Sequence, residues 1–258
     1  MTNPMDNIDV VARDAYFAST PCQGRKLLLA VPSYGPIDPA CQKDVRVAMM
    51  VASNHGVRWA GDSSPDRMGW GVARNAAAGT ILDMPNISDD DGIVWIDSDM
   101  RIPPEAIASL IVSAVVKKAD FVTGVYHQRK APHAPLFGTY VPDKGKYAWV
   151  ETYEENVFAP CDGCGFGFVF TSRRAIKAIA GLPNFTEERG WFPDERHNDG
   201  LGEDLSFCYQ AMKAGIQLYV HTGIQLGHVG DSQVITRADF IRELKAKVKE
   251  REHAVQPA

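Results

Sequence analysis

Short apolar runs alternate along the chain with segments whose apolar residues recur at helical spacing. Residues 26–32, KLLLAVP, form an apolar run stopped by proline, which predicts a first buried strand. Asp38 and Pro39 supply a cap and an N1 proline, so a helix is expected from there to about Asn54, with Gly56 past its end. VRWAG at 57–61 predicts a second strand, and WGVARNAAAGTIL at 70–82 a helix rich in small residues. GIVWID at 92–97 predicts the next strand, then a helix from Pro103 or Pro104 to about Lys118, then a strand over 120–126. Strands and helices alternating at this spacing argue for βαβ units and a parallel sheet.

The second half changes character. APLFGTYV (134–141) and KYAWVET (146–152) flank PDKG, a hairpin-like turn. GFGFVFTS (165–172) predicts a strand leading into a helix over 173–181. A helix over 203–215 ends in glycine, and IQLYVHTG (216–223) follows as a strand. Residues 236–253 predict a charged amphipathic helix, read as a solvated face. The fold class expected is α/β: a mostly parallel central sheet flanked by helices, with a mixed second half. Ligands of such sheets bind outside the carboxyl ends of the strands.

At 258 residues, with 45% hydrophobic and 23% charged residues, the chain is long enough for one large soluble α/β domain or two small ones, and no stretch reads as a linker between two. A formal charge of −5 provides no global basic field for nucleic acid or membrane. The longest apolar runs, such as 106–116, are too short to span a bilayer, and the first residues lack a signal-peptide pattern, so the expectation is cytoplasmic. The five cysteines are irregularly spaced and give no disulfide framework. Cys161 and Cys164 form a lone C-x-x-C, read as two reduced cysteines in a Gly-rich turn.

The chemistry concentrates in IVWIDSDM, residues 93–100, where an apolar strand runs into Asp97 and Asp99. If the strand persists through residue 99, both carboxylates share one side. Paired carboxylates call for a cation, and hard oxygen ligands suit Mg²⁺ or Mn²⁺ bridging to a diphosphate. The alternative is a solvated strand end. A phosphatase-like use of D-x-D is disfavoured, because Arg101 stands where a small residue is expected and the motif comes late in the fold. Glu203 and Asp204 open a helix, where carboxylates complement the dipole, and His228 lies in a Gly-flanked loop after a strand.

Taken in order, AVPSYG (30–35), ARNAAA (73–78), WIDSDMRIPP (95–104), GCGFGFVFTSRRAIKAI (163–179), GEDLSFCYQAMKAG (202–215) and LGHVGD (226–231) resemble the GT-A glycosyltransferases. The resemblance is to short, stand-alone family-2-like members of bacterial and phage type, and it covers about residues 26–231. It implies a single domain, 1–258. Within it lie an arm to about residue 24, a nucleotide-binding half (25–126), an acceptor and catalytic half (127–235) and a C-terminal helix (236–258).

The resemblance also implies a sugar moved from a nucleotide-sugar donor, a UDP-sugar, to an acceptor hydroxyl with Mn²⁺ or Mg²⁺. Pro32, Ser33 and Tyr34 would line the base pocket, and Asp62 would read the base edge. Arg74 and Asn75 match the family's RN pair, Arg74 neutralising diphosphate charge. Asp97 and Ser98 would contact the donor. Asp97, Asp99 and His228 would hold the metal. Asp204 would be the general base of an inverting transfer, with Glu203 orienting the acceptor.

Asp162, Gly163, Gly165 and Gly167 would approach donor sugar or acceptor, Trp191 would stack on an acceptor ring, and residues 186–202 would form a lid. The acceptor stays open among glycan, small molecule and hydroxymethylated DNA base, with Arg129 and Lys130 available to steer phosphate. Gly35 departs from the family pattern at the base pocket. The competing classes are a nucleotidyltransferase, which would carry a basic residue in VPSYGPIDP, and a non-catalytic sugar- or nucleotide-binding GT-A domain.

Overall fold

The computed structural model describes residues 22, 24–33, 35, 37–64, 68–193, 200–230 and 233–255, with side chains described to residue 250. Most of the expected N-terminal arm therefore lies outside the described residues.

β1 (Lys26–Ala30), β2 (Arg58–Asp62) and β3 (Gly92–Ile96) pair in parallel, in the order β2-β1-β3. β5 (Phe121–Val125) and β11 (Leu218–Gln225) form a second parallel pair. Between β3 and β5 runs β10 (Phe168–Ser172), antiparallel to both, and β8 (Phe158–Cys161) closes the far edge antiparallel to β11. The seven-stranded order is β2-β1-β3-β10-β5-β11-β8. β3, β5 and β10 are buried along their whole length, as expected for strands covered by helices on both faces.

Strand alternation divides the core. Leu27 and Leu29 of β1 face one side with Val94 and Ile96, against α1 (Pro39–Asn54) and α3 (Ala106–Lys117). Leu28 and Ala30 face the other with Ile93 and Trp95, against α2 (Trp70–Asp83), α4 (Arg173–Ala180) and α5 (Glu203–Lys213). The α1 start is as expected: the Asp38 carboxylate accepts from Cys41 N at 2.9 Å, with Pro39 next in line. The expected hairpin forms from β6 (Phe137–Val141) and β7 (Lys146–Trp149), and Gly145 turns it at φ +58°.

Besides β8 and the two-residue β9 (Gly163–Cys164), three very short strands were not expected: β4 (Met100–Arg101), β12 (Gly227–Val229) and β13 (Val234–Ile235). They make a separate sheet, β13-β12-β4, in which His228 pairs with Met100. The C-x-x-C is a correction to the sequence reading. Cys161 ends β8 and Cys164 ends β9 (Gly163–Cys164), both buried thiols in strands rather than in a turn. α6 (Arg237–Val255) closes the chain, and among the described residues no helix is long and apolar enough to cross a membrane.

Candidate active site

β3 ends at Ile96, and residues 98–99 turn, so Asp97 and Asp99 do not share a strand face as a longer β3 would require. The turn is held by Met100 N donating to Asp97 O at 3.2 Å and by Asp97 N donating to Gly167 O at 3.1 Å. The two carboxylates therefore serve different neighbours.

Asp97 turns to Arg74. The Arg74 guanidinium, with 2% of its side chain exposed, donates to Asp97 Oδ1 at 2.8 Å, to Glu203 Oε1 at 3.2 Å and to Asp204 Oδ1. Trp70, Phe166 and Phe192 ring it at 5.5–5.7 Å. Nη1 and Nη2 thus go to carboxylates, where the sequence reading gave the guanidinium to a diphosphate, and Nε is buried without a partner. Glu203 and Asp204 open α5, whose N-terminal dipole favours negative charge, and Asp204 Oδ2 also accepts from Phe166 N at 3.1 Å. Burial pushes the Asp204 carboxyl up to about 7, with Arg74 pulling the other way. A quarter of the side chain, 26%, still reaches solvent, so a substrate can approach it.

Asp99 turns to the small sheet. Val229 N donates to Asp99 O at 2.9 Å, which carries β12 past the turn and sets His228 Nε2 3.7 Å from Asp99 Oδ2. The His228 ring is oriented by its other nitrogen, Nδ1, which donates to His127 O at 2.8 Å. Nε2 is then an acceptor, and Arg129 Nε donates to it at 2.9 Å. Arg129 Nη2 donates to Asp99 Oδ2. Burial raises the Asp99 carboxyl, but the charges that face it, an imidazolium at His228 whenever that ring is protonated and the Arg129 guanidinium, hold it below the ordinary carboxylate value.

The donor set fits a divalent cation at two of the three expected positions. Asp99 Oδ1 is buried without a hydrogen-bond partner, and His228 presents an imidazole lone pair beside Asp99. Asp97 is drawn off by Arg74, and among the described residues no three His, Cys, Asp or Glu side chains are grouped closely enough to hold a metal.

The other expected residues fall in different surroundings. Asp62 ends β2 and lines a cavity of about 170 Å³ with Leu29, Val31, Ile37 and Ser64, at the carboxyl edge of β1 and β2. Pro32 and Ser33 are buried beside it, Ser33 Oγ donating to Gly35 O, and Tyr34 lies outside the described residues. Ser98 accepts from Asp38 N at 3.3 Å through its backbone oxygen.

Asn75 is a correction. Its Oδ1 accepts from Trp191 N and Phe192 N, both at 2.9 Å, and its Nδ2 donates to Phe192 O at 3.0 Å. That amide clamps a loop rather than facing a donor. Trp191 is corrected with it: the indole donates to Ile176 O at 2.9 Å and packs on Phe185, so the ring belongs to the helix layer. Phe192 stacks on Phe207 in the core. The expected lid is thus anchored at 190–192, and residues 194–199 lie outside the described residues.

The glycines are close-approach positions, but for tyrosines. A Cβ on Gly163 would strike the Tyr147 ring, and on Gly165 or Gly167 would strike Tyr126. Asp162 Oδ2 accepts from Tyr140 N at 2.9 Å, which ties it to β6. The residues missed by sequence reasoning are Arg129 as a partner of Asp99 and His228, and Tyr126, whose hydroxyl accepts from Gly167 N at 2.9 Å. The one signal for Arg129 was its basic neighbourhood, HQRK at 127–130.

No family model matches the chain, and no curated protein does. Among solved structures, the crystal structure of A197 from STIV matches with a TM-score of 0.56 at 18% identity, over 83% of this chain and 91% of that one. The crystal structure of GalNAc-T7 with UDP, GalNAc and Mn²⁺ matches with a TM-score of 0.46 at 10% identity, over 86% of this chain and 47% of that one. This chain thus spans about half of that protein. At 18% identity the likeness to A197 is one of fold.

Proposed function

We propose that the protein is a GT-A glycosyltransferase that moves a sugar from a nucleotide-sugar donor, a UDP-sugar, to an acceptor hydroxyl. The observation that carries the reading is the convergence, beyond the carboxyl end of β3, of a cation-ready pair and a held carboxylate. Asp99 and His228 form the first, and Asp204 on its Arg74 anchor forms the second.

Asp204 acts as general base, accepting the acceptor proton as that oxygen attacks the anomeric carbon; the glycosidic bond to the diphosphate breaks as the new one forms. Base catalysis of this kind contributes about 10²–10⁴-fold. Glu203, on the same guanidinium, sits at the mouth of the site and orients the acceptor. Asp99 and His228 would hold Mn²⁺ or Mg²⁺, while Asp97 stays on Arg74. When bound, that ion supplies Lewis-acid stabilisation of diphosphate charge. The cavity lined by Asp62 suits the base of the donor, its apolar wall taking the ring and the carboxylate its edge.

The test is a panel of nucleotide sugars incubated with Mn²⁺ and followed for donor hydrolysis or transfer. Chelation by EDTA and Asp99→Ala should each abolish turnover. Turnover indifferent to both would sink the metal-assisted reading.

A further inference from the structure

We propose that Arg129 is the resident cation of the Asp99–His228 pair, and that a divalent ion enters only by displacing its guanidinium. The proposal rests on the metal-assisted reading above. Arg129 lies at the tip of an extended connection between β5 and β6 whose legs are paired. Leu136 N donates to Tyr126 O at 3.0 Å, Gln128 N to Ala134 O at 2.9 Å, and His127 bridges Pro135. These bonds hold the tip over the end of β3.

One guanidinium takes the imidazole lone pair and one of the two carboxylate oxygens that a cation would need, leaving Asp99 Oδ1 without a partner. Nε donates to His228 Nε2 at 2.9 Å, taking the imidazole lone pair, and Nη2 donates to Asp99 Oδ2. A neutral imidazole and one carboxylate supply a single negative charge between them. A guanidinium and a divalent ion on the same two ligands would therefore repel strongly at contact distance. Occupation is exclusive.

The two arginines of the site differ in the freedom needed for this. Arg74 is 2% exposed, sits among aromatic rings and has three carboxylate partners, so it stays in place. Arg129 is 50% exposed, and half-exposed ion pairs are weak enough to exchange for water. Swung outward, Arg129 would stand at the rim of the site with its charge available to a diphosphate.

Displacement makes a measurable demand on affinity. If Arg129 holds the pair nine-tenths of the time, the apparent Kd for the ion is weakened about tenfold, because only the vacated fraction is competent. Mn²⁺ alone, titrated against the full chain and followed by the EPR signal of the free ion, reads this directly without turnover. Arg129→Met should bind Mn²⁺ about tenfold more tightly than the unaltered protein. Arg129→Lys, which keeps the charge but loses the fork, should fall between them. Adding Asp99→Asn to Arg129→Met should abolish the gain.

Mn²⁺ binding that is lost in Asp99→Asn but no tighter in Arg129→Met would overturn the role of Arg129 and leave the metal site standing. Binding independent of Asp99 in every variant, or no binding even in Arg129→Met, would remove the metal site itself, and the proposal with it. The tip position and half exposure of Arg129 make both of its substitutions compatible with folding, and unchanged melting profiles of all four variants would verify that the fold is kept.

Discussion

Arg74 is a buried cation held by three carboxylates from two distant segments, and that arrangement sets the ionisation of Asp204. Burial works against the guanidinium charge, and Asp204, Asp97 and Glu203 more than restore it. Asp204 receives one charged and one backbone donor, yet burial beside Asp97 and Glu203 leaves its carboxyl raised to about 7. A base must be ionised to act, so kcat/KM for transfer should rise with pH through about 7 and level above it. The stability linkage has the opposite sense. A carboxyl raised in the folded state favours folding most below its ordinary value of 3.8, and that contribution is lost as pH rises through about 7. Asp204→Asn should lower kcat by about 10²–10⁴-fold and flatten the profile while donor binding is retained. Steady-state kinetics across pH, paired with donor titration, would check it; an unchanged pH profile in Asp204→Asn would assign the base elsewhere. The sequence made Asp97, Arg74 and Asp204 candidates one at a time. Nothing in it linked residue 74 to residues 203 and 204, so a diphosphate partner was inferred where the fold supplies carboxylates.

Elements with a cap, a breaker or a long apolar run were legible from the chain, and those without were not. Asp38-Pro39 sets the start of α1, and the apolar run of β3 sets a fully buried strand. β4, β12 and β13 have two or three residues each, too few for any periodicity, and yet they bring His228 to Asp99. The glycines of the β9–β10 connection were legible as close approaches, but the approaching group was not, because Tyr126 comes from the end of β5. That connection passes the Tyr126 ring so closely that a Cβ on Gly165 would overlap the hydroxyl, while the nearest other ring atom stands 3.2 Å away. Gly165→Ala should therefore destabilise the fold by about 1–3 kcal/mol through overpacking. Tyr126→Phe alone should cost about 1–3 kcal/mol, because the buried Gly167 N–H loses its acceptor. Combined, the two should cost less than their sum, since the phenylalanine removes the overlapping oxygen. Urea denaturation of the four proteins gives the coupling directly; strict additivity would mean that the alanine is accommodated by backbone movement instead.

The departure of sheet order from chain order between β3 and β5 decides how the two halves relate. Residues 25–126 contain the central-sheet strands β1, β2, β3 and β5, which the sequence reads as consecutive βαβ units of a nucleotide-binding half. In the sheet β3 and β5 are not neighbours. β10, contributed by residues 168–172, lies between them and pairs antiparallel with each. Alternating strands and helices reveal that a parallel sheet exists, but a strand inserted from later in the chain leaves no mark on the earlier pattern. β5 has β10 on one side and β11 on the other, so a fragment ending at residue 126 would leave its backbone groups unpaired on both edges. The same cut would strip Phe168 and Phe170 from the core beneath α3, and α4 and α5 from the opposite face. Unpaired backbone and exposed apolar surface of that extent outweigh what β1–β3 alone can stabilise. Residues 25–126 expressed alone should show a far-UV spectrum without cooperative melting and a poorly dispersed ¹H–¹⁵N spectrum. A dispersed spectrum and a sharp melting transition would establish the first half as an autonomous unit. The candidate site would be divided by the same cut, since Asp97, Asp99 and Arg74 come from the first half and Arg129, Asp204 and His228 from the second.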